Sequence, residues 1–159
     1  MTTTTIIKSP ADCNESELDT FERLAKDGGQ VLALGLRSRI ENAEKLIFIL
    51  KNGVCVAIAG LKNPLRTYQE KVFHAAGMLE KSGDYQFEIG YIYANIKGVG
   101  NQLMEGIIQA SEGSPTFATT QDANAQMQYL LPKFGFSRLG ESYLNDKKEY
   151  KLGLFGSHV

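Results

Sequence analysis

The stretch that decides the fold is Tyr85-Gln86-Phe87-Glu88-Ile89-Gly90-Tyr91-Ile92-Tyr93, then Ala94-Asn95-Ile96-Lys97-Gly98-Val99-Gly100, then Asn101-Gln102-Leu103-Met104. Its first part alternates and is rich in aromatics, which predicts a β-strand. Its last part places Val99, Leu103, Met104, Ile107 and Ile108 at helical spacing. Between them sits Gly98-Val99-Gly100, so a strand feeds a glycine turn that opens a helix. Glycines leave backbone N–H groups uncovered, and the helix dipole adds positive potential at the same point. Such a turn suits a phosphate or pyrophosphate, and Lys97 can add a charge-assisted contact. No Gly-Lys-Ser/Thr follows, so this is not a P-loop. Position 103 is Leu where a dinucleotide fingerprint needs a third glycine.

Upstream, Ile6-Ile7-Lys8 reads as a short strand, with Thr2–Thr5 as part of an unstructured tail spanning residues 1–5. Asn14 is the expected N-cap of a helix with Leu18, Phe21, Leu24 and Ala25 inside, stopped by Gly28-Gly29. Val31–Ile40 fits a second helix, weakened by Gly35. Leu46–Leu50 and Val54–Leu61 flank Lys51-Asn52-Gly53, a hairpin signal, and both runs are apolar enough to be covered on both faces. Tyr68–Leu79 reads as a helix with Tyr68, Val72, Ala75 (Ala76 beside it) and Leu79 on its inner side. Downstream, Thr116–Thr120 is a short strand and Asp122 the expected cap of a helix with Met127, Leu130, Leu131 and Phe134 inside. Gly135 closes that helix, and strands near Ser137–Leu144 and Glu149–Phe155 finish the chain. The order β, α, α, β, β, α, β, α, β, α, β, β predicts a mixed α/β domain.

Composition narrows the function. The 159 residues suit one domain, 1–159, with a core of its own. Net charge is −1, which provides no global field for nucleic acid or anionic lipid. Cys13, Cys55, His74 and His158 are too few and too scattered for a metal centre, and no metal is expected. Cys55, inside an apolar run, reads as a buried thiol. The first residues lack the basic and apolar regions of a secretory signal, and no apolar run approaches the ~20 residues of a membrane helix. A cytoplasmic protein is expected by default.

The glycine turn, the short strand after it, Asn124, and the ending Lys133-Phe134-Gly135-Phe136 together resemble the GNAT superfamily of acyl-CoA-dependent N-acyltransferases. The resemblance spans the element order and is sharpest from Glu88 to Phe136. It implies a mostly antiparallel central sheet flanked by helices, with a splayed pair formed by the fourth and fifth strands. The family's turn, Arg/Gln-x-x-Gly-x-Gly/Ala, falls on Asn95–Gly100, with Asn95 in place of Arg or Gln. The family's pyrophosphate contacts would pass to Lys97, Gly98, Val99, Gly100 and Asn101. Its pantetheine contacts would pass to Tyr91, Ile92, Tyr93 and Asn124. Acetyl-CoA would be the acyl donor and a small-molecule or peptide amine the acceptor. The family often forms dimers, so a homodimer is compatible with the resemblance.

Amide formation needs a neutral amine, a base and an oxyanion donor. Glu88 is the candidate base: a carboxylate in an otherwise aromatic strand is costly to bury unless it has a purpose or a partner. The family often places a proton-donating tyrosine four residues before the closing glycine, and here that position is Leu131. Tyr129 is the candidate instead, two residues away and roughly 200° around a regular helix. Pro132 could bend the helix and re-aim it. Water, Tyr91, Tyr93 or Tyr143 are the substitutes. The rival readings are a catalytically degenerate CoA-binding or assembly module, favoured by the missing tyrosine, and an acyltransferase that modifies macromolecules.

Overall fold

The glycine turn does join a strand to a helix, and the remaining elements follow in the expected order. The computed structural model describes Thr2–Ser157. Seven strands are hydrogen-bonded in the order β1-β2-β3-β4-β5-β7-β6. They are β1 (Thr3–Lys8), β2 (Lys45–Lys51), β3 (Val54–Lys62), β4 (Phe87–Ala94), β5 (Thr116–Gln121), β6 (Phe136–Leu144) and β7 (Lys151–Ser157). β1–β2, β2–β3, β5–β7 and β6–β7 are antiparallel, and β4–β5 is parallel. The parallel ladder covers Phe87↔Thr116 and Glu88↔Phe117. The chain divides into two compact units. One holds the described residues through Asn63 with Ile89–Glu112, and the other holds Pro64–Glu88 and the described chain from Gly113 onward.

In the first unit, α1 (Glu15–Asp27) begins with a full capping box, Asn14 with Glu17. Leu18, Phe21, Leu24 and Ala25 are buried as its periodicity predicts. They pack with Leu46, Phe48 and Ile58 on one face of the β2–β3 hairpin. α4 (Gly100–Ser111) packs on β1, β2 and β3, and its Gly106 lies so near Ile47 that a Cβ would come within 2.9 Å of Ile47 Cγ2. Alternate residues of β2 thus face α1 and α4, which is why that strand is apolar throughout. At the hairpin turn Asn52 and Gly53 have φ of 52° and 79°, the left-handed pair of a type I′ turn.

Three expectations in this unit are corrected. The threonines are no loose tail, because Thr3–Thr5 form the first half of β1 and pair with Lys51, Leu50 and Ile49; Met1 lies outside the described residues. The second helix, α2 (Leu36–Glu41), starts only after Gly35, whose left-handed φ of 73° is what delays it. Ile108 faces out of α4, while Val99, Leu103, Met104 and Ile107 face in.

In the second unit, α3 (Arg66–Ala75) buries Val72 and Phe73, with Ala76 beyond its end, against Phe117 and Leu154. Phe73 and Phe117 meet edge to face at 5.2 Å. The inner face therefore runs through Gln69, Val72, Phe73 and Ala76, not through Tyr68, Ala75 and Leu79. Gln69 is buried because its amide donates to the carbonyls of Ser82 and Tyr85, at 2.7 and 2.9 Å. Leu79 belongs to a separate 3₁₀ segment, Leu79–Asp84. The last helix, α5 (Ala125–Lys133), is capped by Asn124, whose side chain accepts from the Met127 amide at 3.2 Å, so Asp122 is not the cap. Leu130 and Leu131 are its buried residues, while Met127 and Phe134 are half-buried. Gly135 follows with φ of 89°, the expected left-handed stop.

β6 carries an irregularity between Leu139 and Tyr143, where Gly140 has φ of 66°. There the Glu141 amide donates to the Ala76 carbonyl at 3.0 Å. A Cβ on residue 140 would collide with that carbonyl and with Met78. Gly140→Ala is expected to cost ~2–4 kcal/mol from strain and collision together. Urea unfolding of the variant and the parent reads this as a lower midpoint, and an unchanged midpoint would refute it.

Candidate functional site

In the first unit, β4 runs out at Ala94, and the Asn95 amide donates to the Val56 carbonyl at 2.9 Å. Gly98 then turns the chain with φ of 89°, a conformation that demands glycine although no atom crowds the missing Cβ. Val99 is buried at the N-cap of α4 and supplies no side-chain cap, and the first turn holds no acidic residue. α1 and α5, by contrast, both have Asn caps. α2 and α3 lack a side-chain cap as well. At α4 the amides of Gly100 and Asn101 have no intrahelical acceptor and are open to water or an anion, just after the left-handed Gly98. Lys97 is exposed beside them in sequence. An anion with several oxygens suits this arrangement chemically.

Within β4, Tyr91 has φ of 57°, in the left-handed region that a bulky residue avoids at a cost of ~1–3 kcal/mol. Its surroundings hold it there. The ring meets Phe21 edge-on at 5.6 Å, and Lys62 Nζ lies 5.2 Å from the ring centre. Gly60 makes room, since a Cβ at that position would stand 2.7 Å from Tyr91 Cδ2. The Tyr91 hydroxyl is buried and has no hydrogen-bond partner among the described residues. One left-handed residue inside a strand breaks the regular alternation of its faces. Ile92 and Tyr93 are half-buried, and Tyr93 joins Tyr91 against the α1 core.

In the second unit, Glu88 is only 4% exposed, on the last rung of the parallel ladder, opposite Phe117. Tyr68 of α3 donates its hydroxyl hydrogen to Glu88 Oε2 at 2.7 Å. Tyr68 keeps 39% of its surface exposed even so. Burial first, then the Glu88 charge and hydrogen bond, push the Tyr68 phenol well above its usual range, against a lesser opposing bond from Thr119. Tyr143, on β6, is pushed up to about 12 by burial, then by the charges of Glu88 and Asp146. Both phenols thus stay neutral and protonated at physiological pH, beside a carboxylate.

A pocket of about 190 Å³ opens within this unit, walled by Tyr68, Val72, Ala75, Thr119, Tyr143 and Leu152. Lys71, Asn145 and Asp146 also line it. α3 and the β6–β7 hairpin meet here. Tyr68 and Thr119 were not singled out for chemistry in the sequence. Tyr68 is twenty positions from Glu88, and no local pattern links them.

The other candidates fall as follows. Asn124 uses its side-chain oxygen to cap α5. Tyr129 is 63% exposed on α5, with Lys133 Nζ 5.6 Å from its ring centre. α5 remains helical through Pro132 to Lys133. Leu131, at the position of the family's tyrosine, is fully buried. Cys55 packs on the α1 core and its thiol, like that of Cys13, is raised by burial, away from reactivity. His74 is exposed in the last turn of α3, and His158 lies outside the described residues. Among the described residues no group of three or more His, Cys, Asp or Glu is placed to hold a metal, and no helix is long and apolar enough to cross a membrane.

No family model matches the sequence, and no curated protein matches it. Solved structures do match in shape. An acyl-CoA N-acyltransferase from Pseudomonas aeruginosa superposes with a TM-score of 0.70 at 21% identity, over 99% of this chain and 100% of that one. Escherichia coli ElaA gives 0.68 at 17% identity, over 99% and 100%. The N-acetyltransferase PseH from Campylobacter jejuni, in complex with acetyl coenzyme A, gives 0.55 at 18%, over 95% and 97%. The chain has the GNAT fold.

The Glu88 cluster yields a titration test. Removing a negative charge stabilises a phenolate, so Glu88→Gln should bring the late-titrating tyrosines to lower pH in an ultraviolet phenolate titration. Tyr143 favours the fold below pH ~10, the unfolded tyrosine value. That contribution is lost as pH rises toward about 12. The variant should therefore resist alkaline unfolding better than the parent over that window, relative to neutral pH. Late tyrosines that do not move in the variant would disprove the coupling.

Proposed function

We propose that the protein is an acyl-CoA-dependent N-acyltransferase, its whole chain acting as one catalytic domain, with acetyl-CoA as donor and a primary amine as acceptor. The observation that carries this reading is the start of α4: a glycine turn leading into a helix with no side-chain cap and no acidic first turn. The GNAT fold of the chain supports the same assignment. In this reading Lys97 and the backbone of Gly98, Val99, Gly100 and Asn101 hold the donor's pyrophosphate. Tyr91, Ile92, Tyr93 and Asn124 flank its pantetheine arm. Backbone near the left-handed Tyr91 supplies the hydrogen bond to the oxyanion.

The reaction is direct attack in a ternary complex. The amine nitrogen, giving up a proton to Glu88 directly or through water, bonds to the thioester carbonyl carbon. The carbonyl electrons move onto oxygen. As they return, the C–S bond breaks and the thiolate of CoA leaves with its electron pair. A donor protonates it, with Tyr129 the first candidate and Tyr143 the second. The products are an amide and CoA; the proton taken by Glu88 passes to solvent, and the donor takes one back from solvent, so both groups return to their starting states.

A second reading is a CoA-binding module without turnover. Leu131 in place of the family's tyrosine, together with the exposure of Tyr129, favours it.

Variants test the binding site and the chemistry, and turnover by the parent separates the readings. Gly100→Glu sets a carboxylate against the pyrophosphate, and calorimetry should show acetyl-CoA affinity falling by more than tenfold, about 1.4 kcal/mol. Full affinity in that variant would remove the site assignment. Glu88→Gln should retain acetyl-CoA binding while transfer to an amine panel falls by roughly 10²–10⁴-fold. Comparing Tyr129→Phe with Tyr143→Phe by kcat assigns the proton donor. Binding with no transfer by the parent to any amine would favour the module.

A further inference from the structure

The pocket of the second unit, at about 190 Å³, is smaller than the ~300–1,000 Å³ that holds drug-sized ligands. Its acceptor is therefore compact. Val72, Ala75 and Leu152 give it apolar walls, and Tyr68 and Tyr143 give it aromatic ones. Such walls suit a hydrocarbon or aryl stem. The hydroxyl of Tyr68 leads to the buried Glu88 carboxylate. An ammonium is attracted to that end by charge and by the ring faces.

Anion recognition is another matter. Lys71 is the basic residue among those lining the pocket. Its Nζ lies 3.0 and 3.1 Å from the two carboxylate oxygens of Asp146. Both partners are well exposed, at 66% and 82%, so the pair itself adds little stability. Its effect is on charge: Asp146 cancels Lys71, and Glu88 remains as the net charge of the cluster. A carboxylate entering with the acceptor would have to displace Asp146 and would still face Glu88.

We propose that this pocket selects a primary amine carried on an uncharged alkyl or aryl stem and rejects one with a carboxylate beside the amine, and that Asp146 sets this choice by occupying Lys71. The inference rests on the acyl-transfer reading for the role of the pocket, and it adds the class of acceptor. The shared chemistry fits both free amines and a lysine side chain, whose stem is also uncharged.

The test uses matched pairs on the full chain. Release of CoA from acetyl-CoA gives kcat/KM for phenethylamine against phenylalanine, for isobutylamine against valine, and for lysine in a blocked peptide. Binding of each amine is measured separately by calorimetry without donor. A carboxylate lowers the basicity of the neighbouring amine, so neutral amine is more abundant in the amino acids and solution reactivity works against the expected result. Expected is at least a tenfold preference for each plain amine over its amino acid, in transfer and in binding. Asp146→Asn frees Lys71 and should narrow that gap several-fold, mainly through a lower KM for phenylalanine. Adding Lys71→Met should restore the gap. The blocked peptide against the free amines tells which source of the stem is used.

Equal or better use of phenylalanine and valine by the parent overturns the inference while leaving acyl transfer standing. So does an Asp146→Asn variant with an unchanged gap, or a parent that binds none of the amines. Selective binding of phenethylamine with no binding of acetyl-CoA overturns the acyl-transfer reading and leaves the selectivity of the pocket standing.

Discussion

A carboxylate inside a sheet has to be hydrogen-bonded, and much of the second unit is arranged around that requirement at Glu88. The Tyr68 hydroxyl supplies the bond. Losing such a partner leaves a buried acceptor at a cost of ~1–3 kcal/mol, a large share of a typical domain's net stability. The register of α3 follows from this and from packing. With Val72 and Phe73 committed to the core and Gln69 tying the helix to Ser82 and Tyr85, Tyr68 is held where it reaches the carboxylate. Tyr143 comes to the same neighbourhood from β6, just past the irregularity at Gly140. Two neutral phenols and one carboxylate thus share a small volume.

The first unit manages a different constraint. Tyr91 occupies a backbone conformation that strands exclude, and Phe21, Lys62 and the bare Gly60 are what make that tolerable. Strain kept in a strand by several independent contacts is more consistent with use than with accident. A few residues later the chain opens α4 without the side-chain cap that α1 and α5 both have. Polar backbone is exposed just where the sequence supplies glycines.

Most of the frame could be read directly from the residues, because it rests on local rules. Asn14 with Glu17, Asn52-Gly53 and Gly135 each act through their own backbone, and each does what its type predicts. Strand β2 announced its two covered faces by having no polar side. The misreadings came where tertiary packing decides. Tyr68 and Leu79 fit a helical stripe, but the Gln69 bonds rotate the buried face and Leu79 falls in a separate turn. Threonines looked like a tail until β2 provided a partner for them. Of the candidate site, the glycine turn and Glu88 were legible because their chemistry is carried by spacing and by an out-of-place charge. The Tyr68 bond to Glu88 was not, since it joins elements that only folding brings together.

The irregularity in β6 has a bearing on how molecules meet one another. β6 is the outermost strand at its end of the sheet, so its open side offers a template for pairing with a neighbour. Gly140 interrupts that template midway, and Ser137, Arg138 and Glu141 are exposed along the strand. A strand from another molecule would lose register at the bulge and meet charge on either side of it. The same kink that brings a tyrosine toward its carboxylate therefore also guards the border of the sheet against runaway association in a crowded solution.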